Sequence, residues 1–307
     1  MPRPRIVVVG SSNTDFIIRL ERIPKPGETI LGGEFLNAAG GKGANQAVAA
    51  ARAGGAVSFV ARVGKDSLGD QALENFVADR IDVSRVIRDA RAASGAALIF
   101  VARSGENSIA VASGANNNLT PADIRKARPL IERAKVVLMQ LETPLDTVQT
   151  AARLGAAAGA LVILNPAPAR TLPGSLLKLV SILTPNESEA ELLTGIKITN
   201  VASATRAAEK LRKRGVGTVV LTMGAAGALV CDSEGTELVP GIKVKAVDTT
   251  AAGDTFNGAL AVALAEGQPF RQAVRFANAA AAISVTRVGA QPSAPSRKSV
   301  ERFLKAR

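Results

Sequence analysis

The sequence of 307 residues contains no histidine, tryptophan or tyrosine, and it has a single cysteine, Cys231. Without histidine, acid–base chemistry falls to Asp, Glu, Lys or Cys. One cysteine excludes an internal disulfide and most metal-cluster motifs. No apolar run approaches the roughly 18 residues that a membrane-spanning helix needs, and the N-terminus lacks the apolar segment and cleavage pattern of a secretory signal. We therefore expect a cytoplasmic protein that has no membrane partner.

The net charge of +12 would suit a nucleic-acid partner. The basic residues are scattered, however, and the densest cluster, "EKLRKRG" at 209–215, closes a predicted helix, where cations oppose the helix dipole. All nine aromatic residues are Phe, which leaves few platforms on which bases could stack. We therefore interpret the charge as solvated surface charge and expect no nucleic-acid partner.

Apolar runs such as "RIVVVG" (5–10) alternate with helical patterns along most of the chain. From Thr120, which precedes a helix predicted to run to about 134, the alternation is regular. This order predicts a three-layer α/β/α fold with a mainly parallel central sheet. Two glycine-bearing segments, at about 15–41 and 96–113, break the alternation and predict pairs of antiparallel strands in a small β-sheet lid. We expect one α/β domain over residues 1–307, with these lid strands inserted.

Polar residues follow five of the predicted strands. In parallel sheets, ligands bind beyond the carboxyl ends of the strands, so these residues are candidates for a binding site: Asn13, Asp15, Glu142, Asn165, Asn186, Glu187, Thr222 and Gly224. Loops are polar anyway, but five strands that all end this way indicate a ligand site at this edge.

The motif "GGKGANQ" at 40–46 lacks the Gly-Lys-Ser/Thr of a phosphate-binding P-loop, and no buried strand precedes it as in a dinucleotide fingerprint. Its glycines would let the backbone approach a ligand or act as a hinge. Lys42, Asn45 and Gln46 then offer donors for hydroxyl groups. The alternative interpretation is an ordinary strand-to-helix turn with Asn for capping.

The motif "DTTAAGD" at 248–254 precedes an alanine-rich helical pattern. Ala251, Ala252 and Gly253 would form the first helical turn, whose unpaired N–H groups make an anion site. Asp254 beside it is badly placed to hold a phosphate, but it is well placed to take a proton from a hydroxyl that attacks phosphorus. The alternative is an ordinary helix start, with Asp248 as the N-cap and Asp254 opposing the dipole.

The two motifs together resemble the two signatures of the ribokinase-like carbohydrate kinases, the phosphofructokinase-B type. The resemblance covers essentially the whole chain and includes "GSSNTD", "MQLETPL", "LNPAPAR", "TPNESEAELLTG", "LTMGAAG" and "VTRVGAQPS". The family's second signature usually begins Asp-Thr-x-Gly-Ala-Gly-Asp, and Ala251 replaces its first glycine here. Alanine still offers its amide, so the substitution leaves the resemblance intact.

The resemblance implies transfer of the γ-phosphoryl group of ATP to the 5-hydroxyl of D-ribose. Asp254 would be the catalytic base, and the amides of Ala251, Ala252 and Gly253 would form the anion hole. The sugar would be held by Asn13, Asp15, Gly41, Lys42, Asn45 and Glu142. The nucleotide site would be lined by Asn186, Thr222, Gly224, Gly227 and Asn278. Mg²⁺ would bridge the phosphates, and Glu189 would influence it through water, unless Glu189 simply belongs to the acidic first turn of a helix.

The resemblance also implies a monovalent cation, usually K⁺, beside the anion hole. Its ligands would be the Asp248 carboxylate, the backbone carbonyls of Thr250, Ser284, Arg287 and Gly289, and the Ser293 hydroxyl; an all-oxygen shell suits a hard cation. In this family the small sheet closes over the sugar and pairs with a second subunit, so a homodimer is expected.

Three alternatives stay open on the sequence. The first is a sibling kinase that acts on 2-deoxyribose, fructose or a nucleoside, because a pocket built from hydroxyl contacts can admit close analogues. The second is a non-catalytic sugar- or nucleotide-binding regulator on the same fold, against which the intact Asp254 speaks. The third is the nucleic-acid binder suggested by the positive charge.

Overall fold

The computed structural model describes residues 3–307. Within that range the strands are β1 (Arg5–Val9), β2 (Asn13–Leu20), β3 (Glu34–Gly40), β4 (Ala56–Gly64), β5 (Asp82–Asp89), β6 (Gly95–Ala102), β7 (Asn107–Ala112), β8 (Val136–Met139), β9 (Leu161–Leu164), β10 (Ile182–Leu183), β11 (Thr218–Thr222), β12 (Gly227–Cys231) and β13 (Thr236–Pro240).

The α-helices of the same range are α1 (Lys42–Arg52), α2 (Ser67–Ala78), α3 (Pro121–Lys126), α4 (Arg128–Ile131), α5 (Leu145–Ala157), α6 (Gly174–Leu177), α7 (Glu187–Thr194), α8 (Val201–Lys213), α9 (Ala252–Ala265), α10 (Phe270–Ser284) and α11 (Arg297–Lys305). Short 3₁₀ turns occur at Gly114–Asn118, Gly224–Ala226 and Gln291–Ser293.

The large sheet has nine strands in the order β13-β12-β11-β10-β9-β8-β1-β4-β5. All neighbouring pairs from β11 to β5 are parallel, and β12 and β13 add an antiparallel edge. The chain builds outward from β1 to β4 and β5, and then returns to β8 on the other side of β1. The strand order therefore reverses between β1 and β8, where open α/β sheets form a ligand crevice.

The core consists of two apolar layers, one on each face of the large sheet. β1 contributes to both layers, since Ile6 and Val8 pack with helices such as α1 and α9, whereas Val7 and Val9 pack with helices such as α5 and α8. All four side chains are buried, as expected for a parallel strand covered on both faces. This arrangement confirms the predicted three-layer fold.

A second, small sheet of four strands has the order β3-β2-β6-β7. It confirms the predicted small β-sheet and both predicted antiparallel strand pairs. β2 pairs antiparallel with β3, and β6 with β7, whereas the central pair of β2 and β6 is parallel. β2 follows β1 and β6 follows β5 along the chain. Because β1 and β5 run in the same direction in the large sheet, β2 and β6 also enter the small sheet in the same direction.

Three details of the sequence-based assignment were wrong. The helix predicted from Pro121 to about 134 is divided into α3 and α4, because Pro129 lacks the N–H that would continue the helix. Strand β5 was not predicted; it is an edge strand with a largely exposed, charge-bearing pattern and a weak apolar signal. The strand expected from residue 29 begins only at Glu34.

Candidate active site

Asp254 lies in the first turn of α9, at the carboxyl edge of the large sheet, and its side chain is buried. Gln46 Nε2 donates to its Oδ1 at 2.9 Å, and Asn45 Nδ2 donates to its Oδ2 at 3.1 Å. Burial raises the pKa of Asp254, while the Lys42 ammonium group and the two amides partly offset that rise. A buried carboxylate with a raised pKa is a stronger base than one in water.

The turn before Asp254 has an unusual backbone. Ala251 caps α9 with a φ of 56°, in the left-handed region that favours glycine, and no side chain caps the helix. Gly253 is exposed at the mouth of this turn. The Ala252 amide donates to the Thr249 carbonyl at 3.2 Å, a long bond for a backbone amide. Asp248 was the alternative candidate for the N-cap, and the structure gives that position to Ala251.

A cleft of about 160 Å³ opens beside this turn. It joins residues for which the sequence predicted different roles, and its lining is Lys42, Asn165, Ala167, Thr184, Asn186, Glu189, Thr222, Thr249, Ala251, Ala252, Gly253, Asp254 and Asn257. The predicted base, the predicted anion-binding turn 251–253, two of the five predicted nucleotide contacts and the predicted magnesium-linked carboxylate therefore share one cavity. Gly224, Gly227 and Asn278 do not line it, and Asn278 Nδ2 instead donates to the carbonyls of Val239 and Pro240.

Lys42 begins α1 and has an electrostatic role in this cavity. Burial lowers the pKa of Lys42, but the charges of Asp254, Glu142 and Glu189 outweigh it, so the pKa is raised. The amine is therefore protonated at neutral pH. Lys42 is therefore the positive partner of these three carboxylates, and it lines the cleft beside the turn 251–253.

Glu142 follows β8 and accepts two hydrogen bonds through Oε2, from Ser11 Oγ at 2.5 Å and from the Lys42 amide at 2.9 Å. These bonds join the loops that follow β1 and β8, where the strand order reverses, to the start of α1. The close approach requires glycine at position 43, because a Cβ there would lie 2.5 Å from the Ser11 amide. Gly41, with a φ of 86°, provides the left-handed turn into the helix.

Asp15 lies on β2 of the small sheet and faces the same region. Burial and the nearby charge of Glu142 raise the pKa of Asp15 to about 6. Asn13, two residues earlier, accepts a hydrogen bond at Oδ1 from Asn116 Nδ2 at 2.8 Å, which leaves its own amide group as a donor.

Asn186 and Glu189 form a capping box at the start of α7. The Glu189 amide donates to Asn186 Oδ1 at 2.8 Å, and the Asn186 amide donates to Glu189 Oε2 at 2.9 Å. The helix-start interpretation of Glu189 is therefore correct as a description of its contacts. Glu189 also lines the cleft, where burial raises its pKa.

Asp248 joins two loops near the turn 251–253, the predicted anion site. Its Oδ1 accepts from the Thr250 amide at 2.9 Å and its Oδ2 from the Gly289 amide at 2.8 Å. Burial would raise the pKa of Asp248, but these hydrogen bonds outweigh it and the pKa is lowered. The hydroxyls of Ser284 and Ser293 donate to backbone carbonyls within their own turns. Over residues 3–307, no cluster of three His, Cys, Asp or Glu side chains could hold a metal.

Sequence reasoning treated Gln46 as a possible donor to ligand hydroxyls, whereas the structure directs its side chain inward. Gln46 is fully buried and contacts Asp254, Asn165 and Gln140. Gln140 was not singled out, although a usable signal existed. It directly follows the buried strand β8, at the edge where ligands bind.

The family model described as pfkB family carbohydrate kinase matches residues 3–297. The chain belongs to the pfkB family of carbohydrate kinases. A ribokinase of Haemophilus influenzae is 46% identical, covering 98% of this chain and 99% of its own. A deoxyribokinase of Salmonella typhi is 37% identical, covering 97% of this chain and 98% of its own. The structure of Arabidopsis thaliana ribokinase complexed with ribose and ATP matches with a TM-score of 0.92 at 35% identity, covering 99% of each chain.

Membership of the pfkB family makes this chain an ATP-dependent sugar kinase. The prediction of a carbohydrate kinase is thereby confirmed, and the regulator and nucleic-acid alternatives lose their support. Within residues 3–307, none of the helices is both long and apolar enough to cross a membrane.

Proposed function

We propose that this pfkB kinase transfers the γ-phosphoryl group of ATP to the 5-hydroxyl of D-ribose, giving ribose 5-phosphate and ADP. The observation that carries the proposal is Asp254, a buried carboxylate beside the turn 251–253 in the cleft that Asn186 and Thr222 also line. The identity to the H. influenzae ribokinase supports ribose as the acceptor.

Asp254 takes the proton of the sugar hydroxyl as its oxygen attacks the γ-phosphorus. The bond between that phosphorus and the β,γ-bridging oxygen breaks, and ADP leaves. The amides of Ala251, Ala252 and Gly253 stabilise the negative charge on the transferring group. Burial supports this role, because the raised pKa of Asp254 makes proton abstraction more favourable.

The sugar is held between the two sheets by a mixed set of donors and acceptors. A neutral polyol needs both, and carboxylates, amides and one ammonium group provide them. The proposed contacts are Asn13, Asp15, Gly41, Lys42, Asn45 and Glu142. The closeness of Asp15 and Glu142, seen in the raised pKa of Asp15, supports a site for neutral hydroxyl groups.

ATP occupies the cleft and extends towards the 3₁₀ turn after β11. The proposed nucleotide contacts are Asn186, Thr222, Gly224, Gly227 and Asn278, and the position of the first two in the cleft lining supports them. Mg²⁺ would neutralise charge on the phosphates. Glu189 is proposed to contact it through water, because its side chain lines the cleft and each carboxylate oxygen accepts only one hydrogen bond, Oε2 from the Asn186 amide and Oε1 from Asn186 Nδ2.

K⁺ is proposed beside the anion turn, held by Asp248, by backbone carbonyls of Thr250, Ser284, Arg287 and Gly289, and by the Ser293 hydroxyl. The hydrogen bonds of Asp248 to both loops support this arrangement, because they gather oxygen-bearing backbone next to the turn. The residues would hold the turn in one conformation when the cation is bound. Activity measured in K⁺ against an equal concentration of tetramethylammonium tests it.

The protein is further proposed to be a cytoplasmic homodimer that associates through the small sheet. Phe35 and Leu98 are 61% and 54% exposed on one face of that sheet, and Ile109 and Val111 are exposed on the other. Exposed apolar patches of this kind commonly mark association surfaces. Sedimentation velocity gives the oligomeric state directly.

The deciding experiment measures ADP formation with purified protein, Mg²⁺ and K⁺ across D-ribose, 2-deoxyribose, fructose, adenosine and no acceptor. Stimulation by ribose above all other acceptors is expected. The second candidate is 2-deoxyribose, favoured by the similarity to the S. typhi deoxyribokinase. A larger kcat/KM for 2-deoxyribose would keep the mechanism and change the substrate, and no stimulation by any acceptor would refute the kinase proposal.

A further inference from the structure

The two oxygens of Asp254 are held by two amides that differ in position. Asn45, which donates to Oδ2, is 8% exposed, and its own Oδ1 is buried with no hydrogen-bond partner among residues 3–307. Gln46, which donates to Oδ1, is fully enclosed and turned towards the strand ends. The Oδ1 atom of Asp254 is therefore tied through Gln46 to the residues that follow β8 and β9, whereas Oδ2 accepts only from Asn45 among residues 3–307.

The orientation of the Gln46 amide is fixed by three neighbours. Its Oε1 accepts from Gln140 Nε2 at 2.5 Å, while its Nε2 donates to Asp254 Oδ1 at 2.9 Å and to Asn165 Oδ1 at 3.1 Å. Turning the amide over would bring its oxygen against two acceptor oxygens and its NH₂ group against the NH₂ group of Gln140. Only one orientation satisfies all three contacts.

The same hydrogen bonds continue to the anion turn. Asn165 Nδ2 donates to the Thr184 carbonyl at 2.9 Å, and Thr184 Oγ1 donates to Asn257 Oδ1 at 2.6 Å. Asn257 Nδ2 then donates to the Gly253 carbonyl at 2.8 Å. The first turn of α9 is thus held at two points, the carboxylate of its aspartate and the carbonyl of its glycine.

We propose that Gln46, oriented by Gln140, is a positioning residue that anchors Oδ1 of Asp254 and leaves Oδ2 as the oxygen that takes the proton from the acceptor hydroxyl. The inference rests on the proposed function, in which Asp254 is the base. Uncharged amides suit this task because they orient a carboxylate without the strong pKa depression that a bound guanidinium would cause.

The packing around Gln140 depends on a neighbouring glycine, which leaves space for the glutamine side chain that orients Gln46. A Cβ at position 10 would lie 2.2 Å from Gln140 Oε1 and 2.7 Å from the Gly43 Cα, so only glycine at position 10 leaves room for the glutamine. Gly10 directly follows β1, at the place where the strand order of the large sheet reverses. The positioning contact therefore belongs to the most buried part of the site.

The test begins with Gln46→Met, which keeps the length of the side chain and removes its hydrogen bonds. We expect kcat to fall by about 10-fold to 100-fold through misorientation of the base, with the dissociation constants of ribose and ATP changed less than about threefold. Gln272→Met, on the exposed surface of α10, is the matched control and should retain wild-type kcat.

The pH dependence of kcat separates positioning from a general structural effect. The charged groups that face Asp254 are Lys42, Glu142 and Glu189, and Gln46→Met leaves all three in place. Loss of a donor to the ionised form raises the pKa of Asp254, so the acid limb of the profile should move to higher pH. An unchanged limb with unchanged kcat overturns the inference.

A double-mutant cycle tests the link through Gln140. Gln140→Met alone should lower kcat by less than Gln46→Met, and it should have no further effect in the Gln46→Met background, because it acts through that residue. Additive losses would refute the orienting role. If Gln46→Met is not recovered folded, Gln140→Met decides the question by its kcat and acid limb. Should Asp254→Asn retain near wild-type turnover, the assignment of Asp254 as the base fails, whereas absence of stimulation of the wild type by any acceptor would refute the kinase function; both results are distinct from failure of the Gln46 prediction alone.

Discussion

The two sheets each contribute one carboxylate near the cleft, a buried one (Asp254) and a half-buried one (Asp15), and the two differ in their partners. Asp254, at the edge of the large sheet, accepts hydrogen bonds from Gln46 and Asn45. Asp15, on the small sheet, has no side-chain donor in the described part of the chain. Burial raises the pKa of both. Under the proposed function, Asp254 is already oriented by protein donors for proton transfer, while Asp15 would receive its donors from the hydroxyls of the sugar.

The largest effect is expected for Asp254→Asn. Because the amide cannot take the hydroxyl proton, kcat should fall by about 10²-fold to 10⁴-fold, while the dissociation constant of ribose stays within about threefold of wild type. Initial rates and isothermal titration calorimetry measure the two quantities. Asp146→Asn, an exposed carboxylate at the start of α5, is the control. Equal losses of binding and turnover in Asp254→Asn would remove the distinction between the two carboxylates.

Asp15→Asn should give the opposite pattern. Loss of charged hydrogen bonds to the sugar should raise the KM for ribose by about 10-fold to 100-fold, with kcat changed by less than about threefold. Steady-state kinetics at saturating ATP separates the two constants. A fall in kcat with an unchanged KM would mean that Asp15 participates in the chemical step, and the proposed division between the sheets would be wrong.

The fold was largely readable from local patterns. The apolar run of β1 predicts a strand buried on both faces, and the structure directs Ile6 and Val7 to opposite layers. The alternation of strands and helices then predicts the layered sheet. The edge strand β5 was missed, because a strand that is half exposed and carries Arg and Asp has little apolar signal.

The site was readable only in part, because its contacts join distant segments. The small-residue turn before Asp254 indicated an anion site from local chemistry alone. The inward direction of Gln46 could not be read in the same way, since its partners Gln140 and Asp254 are 94 and 208 residues away. Local sequence gives the donor, and the strand order decides which acceptor it meets.

The pH dependence of sugar binding sharpens the comparison further. The pKa of Asp15 is raised to about 6, and its ionised form is the better acceptor for sugar hydroxyls. The KM for ribose should therefore be constant above neutral pH and rise below about 6, by at most about tenfold per pH unit for one proton. Asp15→Asn should abolish this rise. A rise that persists in the variant would assign the titration to another group.

The smallest effect is expected in the backbone beside each carboxylate. Next to the small sheet, the left-handed turn before α1 uses glycine, Gly41, whereas the left-handed turn before Asp254 uses alanine, Ala251. A left-handed alanine costs about 1–2 kcal/mol, and glycine there costs about 0.4–1 kcal/mol of extra chain entropy. Ala251→Gly should therefore stabilise the protein by up to about 1 kcal/mol, seen by calorimetry as a rise in Tm of about 2 °C.

Ala252→Gly provides the matched control for that substitution. Ala252 is the first residue of α9, one position beyond the left-handed cap, so glycine there has no strain to relieve and should lower the free energy of unfolding by about 0.5–1 kcal/mol. The two neighbouring substitutions should therefore shift Tm in opposite directions. A decrease in both would mean that the backbone at position 251 is not strained by its side chain, and that alanine is as suitable as glycine in the turn before Asp254.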